Sequence, residues 1–255
     1  GMSPALAMGL QVVSVAVSCI CAYVYLRRHL PLAALTSSVR CTRAQARQWL
    51  RSTWPLALTE AMRIIHGNLA TLALGVLSTT AVVGVFRVGS STSALVTMPI
   101  SLFHVVLAPM IARLHTAGDI RRLERLMGWS SAAMAAGVLV LCLPFFLFGE
   151  KLLSFLFGSE FSDANSTVLV LALGSALGCL FGPGATLLNM TGHERRVTRS
   201  FAFSLLTLCV LMMPMGYYFQ GVGAAFVVSL SFIFWSAVMW WDARQLLGID
   251  ASVRS

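Results

Sequence analysis

Seven apolar stretches of about 20 residues each constrain this chain more than any other feature of its sequence. A helix of that length crosses a hydrocarbon layer about 30 Å thick. Hydrophobic residues make up 58% of the sequence and charged residues 11%, whereas a soluble domain carries about 25% charged residues. The chain has too little charge to cover a water-facing surface. We therefore predict an all-α fold, a polytopic bundle of about seven transmembrane helices.

The apolar stretches place the spans and the segments that connect them. The predicted spans are residues 5–26, 54–76, 82–111, 128–148, 167–190, 200–219 and 222–241. Pro99 and Pro109 fall inside the third span, where a membrane helix tolerates them as kinks. Segment 119–127 is charged, and we predict a cytoplasmic helix capped by Asp119. Segment 149–166 is too amphipathic to span, and we predict that it packs on the outer rim.

The positions of the basic residues predict the orientation of the chain, because Arg and Lys in short loops stay in the cytoplasm. Fifteen of the 18 basic residues lie in alternate connections or after the last span, and Lys151 lies in a connection on the other side. The N-terminus is therefore predicted outside and the C-terminus inside. The net charge of +9 follows the same topology, so we do not predict nucleic-acid binding.

The longest cytoplasmic connection is the basic segment 27–53. Arg43, Arg47 and Arg51 recur every four residues in it. This spacing fits either a short helix on anionic headgroups or a solvated linker, and the sequence leaves both open. The predicted organisation is one transmembrane helix in 1–26, a basic cytoplasmic linker over 27–53, a six-helix transmembrane bundle over 54–241 and a cytoplasmic tail over 242–255. An outside N-terminus with almost no leader also led us to expect a chain that starts in the middle of a longer protein.

The cysteines and the motif content argue against metal, redox and enzyme chemistry. We interpret all six cysteines as packing residues because none form a C-x-x-C pair or alternate with His. They are Cys19, Cys21, Cys41, Cys142, Cys179 and Cys209. The sequence contains no G-x-S-x-G, H-E-x-x-H or phosphate-cradling G-x-x-x-x-G-K motif. We therefore predict no enzymatic activity, no metal and no cofactor.

The second predicted span carries the scarce intramembrane charges. Its polar stripe, at about 100° per residue, contains Glu60, Arg63, Gly67 and Thr71, with His66 and Asn68 beside it. Met62, Ile65, Leu69 and Leu72 occupy the opposite side. Arg63 lies about 14 Å along the helix from Trp54, near the midplane, where a guanidinium facing lipid would cost about 2.5–3.5 kcal/mol. Arg63 is therefore predicted to face protein or a water-filled cavity.

The third predicted span repeats this arrangement. Its stripe contains Arg87, Ser90, Ser91, Ala94, Met98 and Ser101, with Thr97 and His104 beside it. Two neighbouring helices would thus present arginines, histidines and small polar groups to one hydrated, cationic cavity. Because arginine binds phosphate through bidentate hydrogen bonds, an anionic headgroup such as a sugar diphosphate is the expected occupant.

The candidate substrate-binding residues follow from these two stripes. They are Arg63, Arg87, His66, Asn68, Ser90, Ser91 and His104, and Glu60 is a candidate for a proton-coupling carboxylate. A plainer interpretation stays open, in which Glu60 neutralises Arg63 three residues away. Gly174, Gly178 and Gly182 form a small-residue stripe that favours close helix packing. The following Pro183 is either a hinge or a static bend.

Four motifs resemble a known transporter family. They are LAPMIARLHTAGD at 107–119, LLSFLFGSEF at 152–161, NMTGHE at 189–194 and GVGAAFVVSLSF at 221–232. They resemble the polysaccharide (O-antigen or oligosaccharide) flippase branch of the multidrug/oligosaccharidyl-lipid/polysaccharide exporter superfamily. The resemblance implies twelve or more helices in two six-helix bundles around a central cavity, with this chain supplying the last helix of the first bundle and the whole second bundle. It also implies a fragment or a partner that supplies the missing bundle.

The resemblance further implies a function and its partners. A flippase of this family would move an undecaprenyl-diphosphate-linked oligosaccharide across the bacterial inner membrane by alternating access, for surface polysaccharides such as the O-antigen of lipopolysaccharide. The expected partners are the lipid-linked oligosaccharide, membrane lipids, a missing N-terminal bundle and polysaccharide-assembly proteins. Two alternatives remain: a multidrug or cation antiporter of the same superfamily, which would favour an acidic cavity, and a membrane enzyme of envelope polysaccharide assembly.

Overall fold

The structure is a computed structural model that describes residues 4–29 and 43–248. Within these ranges every regular element is helical, which confirms the all-α fold. The α-helices are α1 (Pro4–His29), α2 (Arg43–Leu77), α3 (Thr80–Val96), α4 (Met98–Thr116), α5 (Ile120–Phe157), α6 (Ala164–Cys179), α7 (Gly184–Met190) and α8 (Glu194–Leu247). A short 3-10 helix, Ser159–Phe161, lies between α5 and α6. The chain divides into two compact units, Gly1–Trp49 and Leu50–Ser255.

The first unit contains α1 and the first turns of α2. Helix α1 has 26 residues, and its described side chains, such as Val12, Ile20 and Tyr23, are all exposed. A helix that is apolar on every side is typical of a membrane span, as predicted for 5–26. Most of the predicted linker, residues 30–42, lies outside the described residues. The last part of the predicted linker, from Arg43 onward, forms the beginning of α2.

Three helices of the described ranges are long and apolar enough to cross a membrane, namely α4, α5 and α8. Helices α6 and α7 are bent by 52° at their break and make a fourth candidate if they form one span. Helix α8 has 54 residues, about 81 Å if it were straight, and its backbone turns at Gln220 with φ 48°. That turn separates the predicted spans 200–219 and 222–241. The total of seven spans stays a prediction.

Two predicted spans are interrupted. The third ends as α3 at Val96 and continues as α4 from Met98, because Pro99 has no N–H to donate and its ring collides with the preceding turn. The fifth breaks between Cys179 and Gly184, where Gly182 takes a φ of 81°. The predicted cytoplasmic helix 119–127 is fused to the fourth span in α5. Asp119 does cap it, accepting a hydrogen bond from Arg122 N at 3.1 Å.

Helices α6 and α8 pack closely in the centre of the second unit. A Cβ on Gly174 would collide with Ser229, and one on Gly178 would collide with Phe232. This contact agrees with the packing interpretation for Gly174 and Gly178, whereas Gly182 lies beyond the end of α6 with a positive φ. Around it, buried side chains of α2, α3 and α8 form one apolar cluster, and those of α3, α5 and α6 form another. These clusters hold the arginine-bearing helices in place.

Candidate functional site

Helix α2 packs on α8 through one side and leaves its arginine side open. Thr59 Oγ1 lies 2.7 Å from Thr198 Oγ1 of α8. Further along α2, Ala70 and Leu74 are buried in the cluster shared with α8. Arg63 is exposed, although it lies between Thr59 and Ala70 in the sequence. On the apolar side of α2, Leu69 packs against this cluster, whereas Ile65 and Leu72 are both at least half exposed.

Glu60 and Arg63 form an ion pair on the open side of α2. Arg63 Nε lies 2.9 Å from Glu60 Oε2 and Arg63 Nη2 lies 2.6 Å from Oε1. The side chains are 66% exposed for Arg63 and 57% for Glu60. The pairing that the sequence left open is thus present. Exposed pairs of this kind are weak, and the second terminal nitrogen of Arg63 remains available, so an anionic ligand can compete with Glu60.

The second arginine lies on the open side of α3. Arg87 is exposed and has no carboxylate partner within the part of the chain that the structure describes. The same open stripe continues through Ser91, Ala94, Met98 and Ser101, all of them exposed. The predicted stripe on the third span is therefore accessible to a ligand. Counted from the connection between α2 and α3, Arg63 lies about 21 Å along α2 and Arg87 about 11 Å along α3.

The smaller polar candidates are distributed between the open side and the helix backbone. Asn68 is exposed, and its amide donates to Ile64 O at 2.8 Å. Ser90 is half-buried, and its hydroxyl donates to Arg87 O at 3.0 Å. Ser91 is exposed. Asn68 and Ser91 thus accompany the two arginines on open helix surface.

The two candidate histidines have different surroundings. His66 is half-buried at the contact of α2 with α8, where its Nε2 lies 3.2 Å from Ser231 Oγ. His104 is half-buried inside the second unit, and its Nδ1 lies 2.7 Å from Thr186 Oγ1 of α7. It lines a cavity of about 80 Å³ at the break between α6 and α7. The structure therefore places His66 beside the arginine side of α2 and directs His104 to α7.

Two groups of polar residues on α8 were missed by the sequence reasoning. Ser204 and Ser231 are buried and hydrogen-bonded to each other. Asp242 is buried, accepts a hydrogen bond from Ser200 Oγ at 3.3 Å and lies 3.6 Å from Arg196 Nη1. The spacing of three or four residues between serines in an apolar span could have predicted a buried side of the helix. It could not have predicted which residues that side contacts.

Polar contacts thus join α2 to α8, between Thr59 and Thr198 and between His66 and Ser231. Among the described residues, no three His, Cys, Asp or Glu side chains converge on a point that could hold a metal ion. The open arginines offer only hydrogen-bond donors. The arrangement suits the binding of an anion, and phosphate oxygens match the planar guanidinium best.

Comparison with known proteins gives one finding. The sequence model of a family described as polysaccharide biosynthesis protein matches residues 3–115, a little under half of the chain. The matched region contains both arginine-bearing helices, and of the four motifs only the one at 107–119 overlaps it. No match was found among curated proteins or among solved structures.

The matched family and the apolar helices agree. They support a membrane protein with a role in polysaccharide biosynthesis or export. The match over residues 3–115 supports the resemblance of this chain to the polysaccharide flippase family that its sequence motifs indicated.

Proposed function

We propose that this chain flips an undecaprenyl-diphosphate-linked oligosaccharide across the bacterial inner membrane for the biosynthesis of a surface polysaccharide. The observation that carries the proposal is the exposure of Arg63 and Arg87 on the open sides of two helices that lie inside the family match. Placing a guanidinium group in an apolar membrane segment costs free energy unless the group contacts a ligand, another part of the protein or water. A diphosphate supplies the oxygen acceptors that such groups bind best.

The ion pair on α2 supports a reversible mode of binding. Glu60 occupies Nε and Nη2 of Arg63 while the site is empty. A diphosphate carries more negative charge than one carboxylate and can take over these donors. Glu60 then becomes free to accept a proton or a second cation, which is why we keep it as the candidate coupling group. Release of the headgroup restores the pair, so the arginine is never left unpaired in the membrane.

The positions of the two arginines suggest that they bind the headgroup one after the other and not at the same time. Their distances from the connection of α2 and α3, about 21 Å and 11 Å, place them at different positions along the helices. A headgroup could contact Arg63 and Arg87 in succession as the transporter alternates between its two openings. Arg87, which has no carboxylate competitor within the described ranges, would hold the headgroup without displacing a partner.

The proposal includes a location and partners. We place the chain in the inner membrane with the N-terminus outside and the C-terminus inside, following the basic connections. The first six-helix bundle, which the family resemblance implies as the partner of this one, would face the open sides of α2 and α3 and close the cavity. Many large apolar side chains are exposed, among them Val76 and Val105, and lipid or the partner bundle would cover them.

The test is export of surface polysaccharide by cells that depend on this gene. Arg63→Ala, Arg87→Ala and the double variant are expressed with Arg121→Ala as the control, because Arg121 is also exposed but lies at the charged start of α5. We expect reduced export for the first three, normal export for the control and equal membrane insertion for all four. Normal export in the double variant would refute the role of the arginines.

An antiporter of organic cations is the second candidate, because Glu60 lies on the same open side as Arg63. Uptake of a cationic dye into inverted vesicles separates the two functions. Dye transport that needs Glu60 and does not need Arg63 would favour the antiporter, whereas the flippase requires the opposite dependence in polysaccharide export.

A further inference from the structure

Ser204 and Ser231 lock the two halves of α8 together by exchanging hydrogen bonds. Ser204 Oγ donates to Ser231 O at 2.9 Å, and Ser231 Oγ donates to Ser204 O at 3.0 Å. Their two hydroxyl oxygens lie 2.8 Å apart. Both serines are buried. Each hydroxyl has one proton, so these contacts use the protons of both serines.

His66 meets this pair at Ser231. Its Nε2 lies 3.2 Å from Ser231 Oγ, farther than either oxygen of Ser204 lies from the same hydroxyl. The closer oxygens of Ser204 therefore take the Ser231 proton. The hydroxyl oxygen then has only lone pairs to offer to the histidine. A hydrogen bond between them requires that His66 Nε2 carries the proton and donates it.

The other ring nitrogen of His66, Nδ1, has no hydrogen-bond partner among the described residues. It is not fully enclosed by the protein either. The ring is steadied on its other side by Phe201, whose ring centre lies 5.6 Å away. Next to His66, a Cβ on Gly67 would meet no atom within 4 Å. Gly67 therefore faces open space on the exposed side of α2, with Arg63 one turn before it on the same stripe.

We propose that His66 is held as the neutral Nε2–H tautomer by the Ser231–Ser204 pair, and that its Nδ1 accepts a hydrogen bond from a sugar hydroxyl bound on the exposed surface of α2 beside Gly67. The proposal rests on the proposed function and adds a contact to it. Arg63 and Arg87 have only donors, which suit the diphosphate. The unprotonated Nδ1 of His66 is a hydrogen-bond acceptor and needs a donor. A sugar hydroxyl can donate its proton, whereas an ionised diphosphate oxygen has none to donate. His66 would thus recognise the sugar next to the diphosphate, with Ser231 and Ser204 as positioning residues.

The first test reads the tautomer directly and does not depend on transport. The full-length protein, labelled with ¹⁵N-histidine in lipid nanodiscs at neutral pH, gives separate signals for protonated and unprotonated ring nitrogens, and His66→Gln assigns the His66 signals by their loss. We expect a proton on Nε2 and none on Nδ1. Ser231→Ala should shift the population toward the Nδ1–H form, whereas Ser175→Ala should not, because the Ser175 hydroxyl bonds only within its own helix. A proton on Nδ1 in the unmodified protein, as the other tautomer or as imidazolium, would overturn the proposal.

The second test separates the sugar contact from the diphosphate contact. The probes are a short-chain prenyl diphosphate and the same lipid carrying one N-acetylhexosamine on its diphosphate. A glutamine amide can reach the position of Nε2 and keep the bond to Ser231, but it has no acceptor at the position of Nδ1. His66→Gln should therefore weaken binding of the sugar-bearing probe by about twofold to tenfold, the range of one neutral hydrogen bond, and leave binding of the bare probe unchanged.

The outcomes of the second test distinguish the two proposals. If Arg63→Ala weakens both probes and His66→Gln weakens neither, the diphosphate site stands and the sugar contact is wrong. If Arg63→Ala weakens neither probe, the proposed function fails, whatever tautomer His66 adopts. If His66→Gln weakens both probes equally, His66 supports the site as a whole and does not recognise the sugar. Thermal unfolding of each variant checks that the fold is retained.

Discussion

Arg63 holds both carboxylate oxygens of Glu60, through Nε at 2.9 Å and Nη2 at 2.6 Å, on the open side of α2. The guanidinium therefore has a partner in the empty protein, and any anionic ligand must displace that partner or bind beside it. This relationship makes the strength of ligand binding depend on Glu60 as well as on the arginine.

Replacement of Glu60 by Gln should strengthen binding of a bare prenyl diphosphate. The amide has no charge, so the ligand no longer competes with a carboxylate for Arg63. We expect a gain of about twofold, as the stabilisation of an exposed i,i+3 pair is small. Titration of nanodisc-embedded protein measures the gain, and Glu124→Gln, on the charged first turns of α5, is the control. Weaker binding after Glu60→Gln would contradict the competition.

Lysine and alanine at position 87 should have graded effects on polysaccharide export. Lysine retains the positive charge but cannot form the planar, two-point contact of a guanidinium with phosphate. We expect Arg87→Lys to lie between the unmodified protein and Arg87→Ala in the amount of surface polysaccharide. If the lysine variant exports as little as the alanine variant, bidentate geometry rather than charge is required. Equal export by all three would exclude Arg87 from the path.

Removal of the hydroxyls of Ser204 and Ser231 should lower stability in a non-additive way. Hydrogen bonds between membrane helices contribute about 0.6 kcal/mol on average and up to about 1.7 kcal/mol. Each single alanine variant loses the contact between the two hydroxyl oxygens, which both substitutions share, so the double variant should lose less than the sum of the two. Unfolding in mixed micelles with increasing denaturing detergent measures the three free energies. Additive losses would indicate that the two hydroxyls act independently.

A methyl group on Gly174 should destabilise the bundle, whereas one on Gly75 should not. The Cβ of Gly174→Ala would collide with Ser229 at the packed contact of α6 and α8, and the Cβ of Gly75→Ala would meet no atom within 4 Å. Overpacking of this kind costs about 1–3 kcal/mol. Thermal unfolding of the two variants gives the comparison. A loss for Gly174→Ala no larger than that for Gly75→Ala would show that α6 and α8 are not in close contact.

Local features of the sequence predicted the elements well. Asp119 begins a helix because its carboxylate accepts a hydrogen bond from the first turn. The stripe through Arg87 and Ser91 lies on one accessible side because helical periodicity places them there. The break at Thr97 was expected only as a kink from Pro99, and here the helix ends and restarts.

Local features of the sequence could not predict which residues a side chain contacts on another helix. The side of α2 that contacts α8 includes Thr59 and His66, whereas Leu72, on the apolar side opposite the arginine stripe, is exposed. His104 shares its side of the helix with the arginine stripe in sequence, but its ring bonds to Thr186, 82 residues away. Periodicity defines the sides of a helix, and it does not say which of them meets another helix.

The sequence by itself determined that the chain is apolar and helical, that its charges are scarce within the spans, and that two of them are arginines on regular stripes. These are properties of composition and of the helical repeat, which a single segment contains. Only the tertiary structure decided that the surface of α2 bearing Glu60 and Arg63 stays open and that His66 contacts Ser231, which is itself bonded to Ser204. Such contacts depend on how separate helices approach one another, and this approach is decided by the packing of whole surfaces.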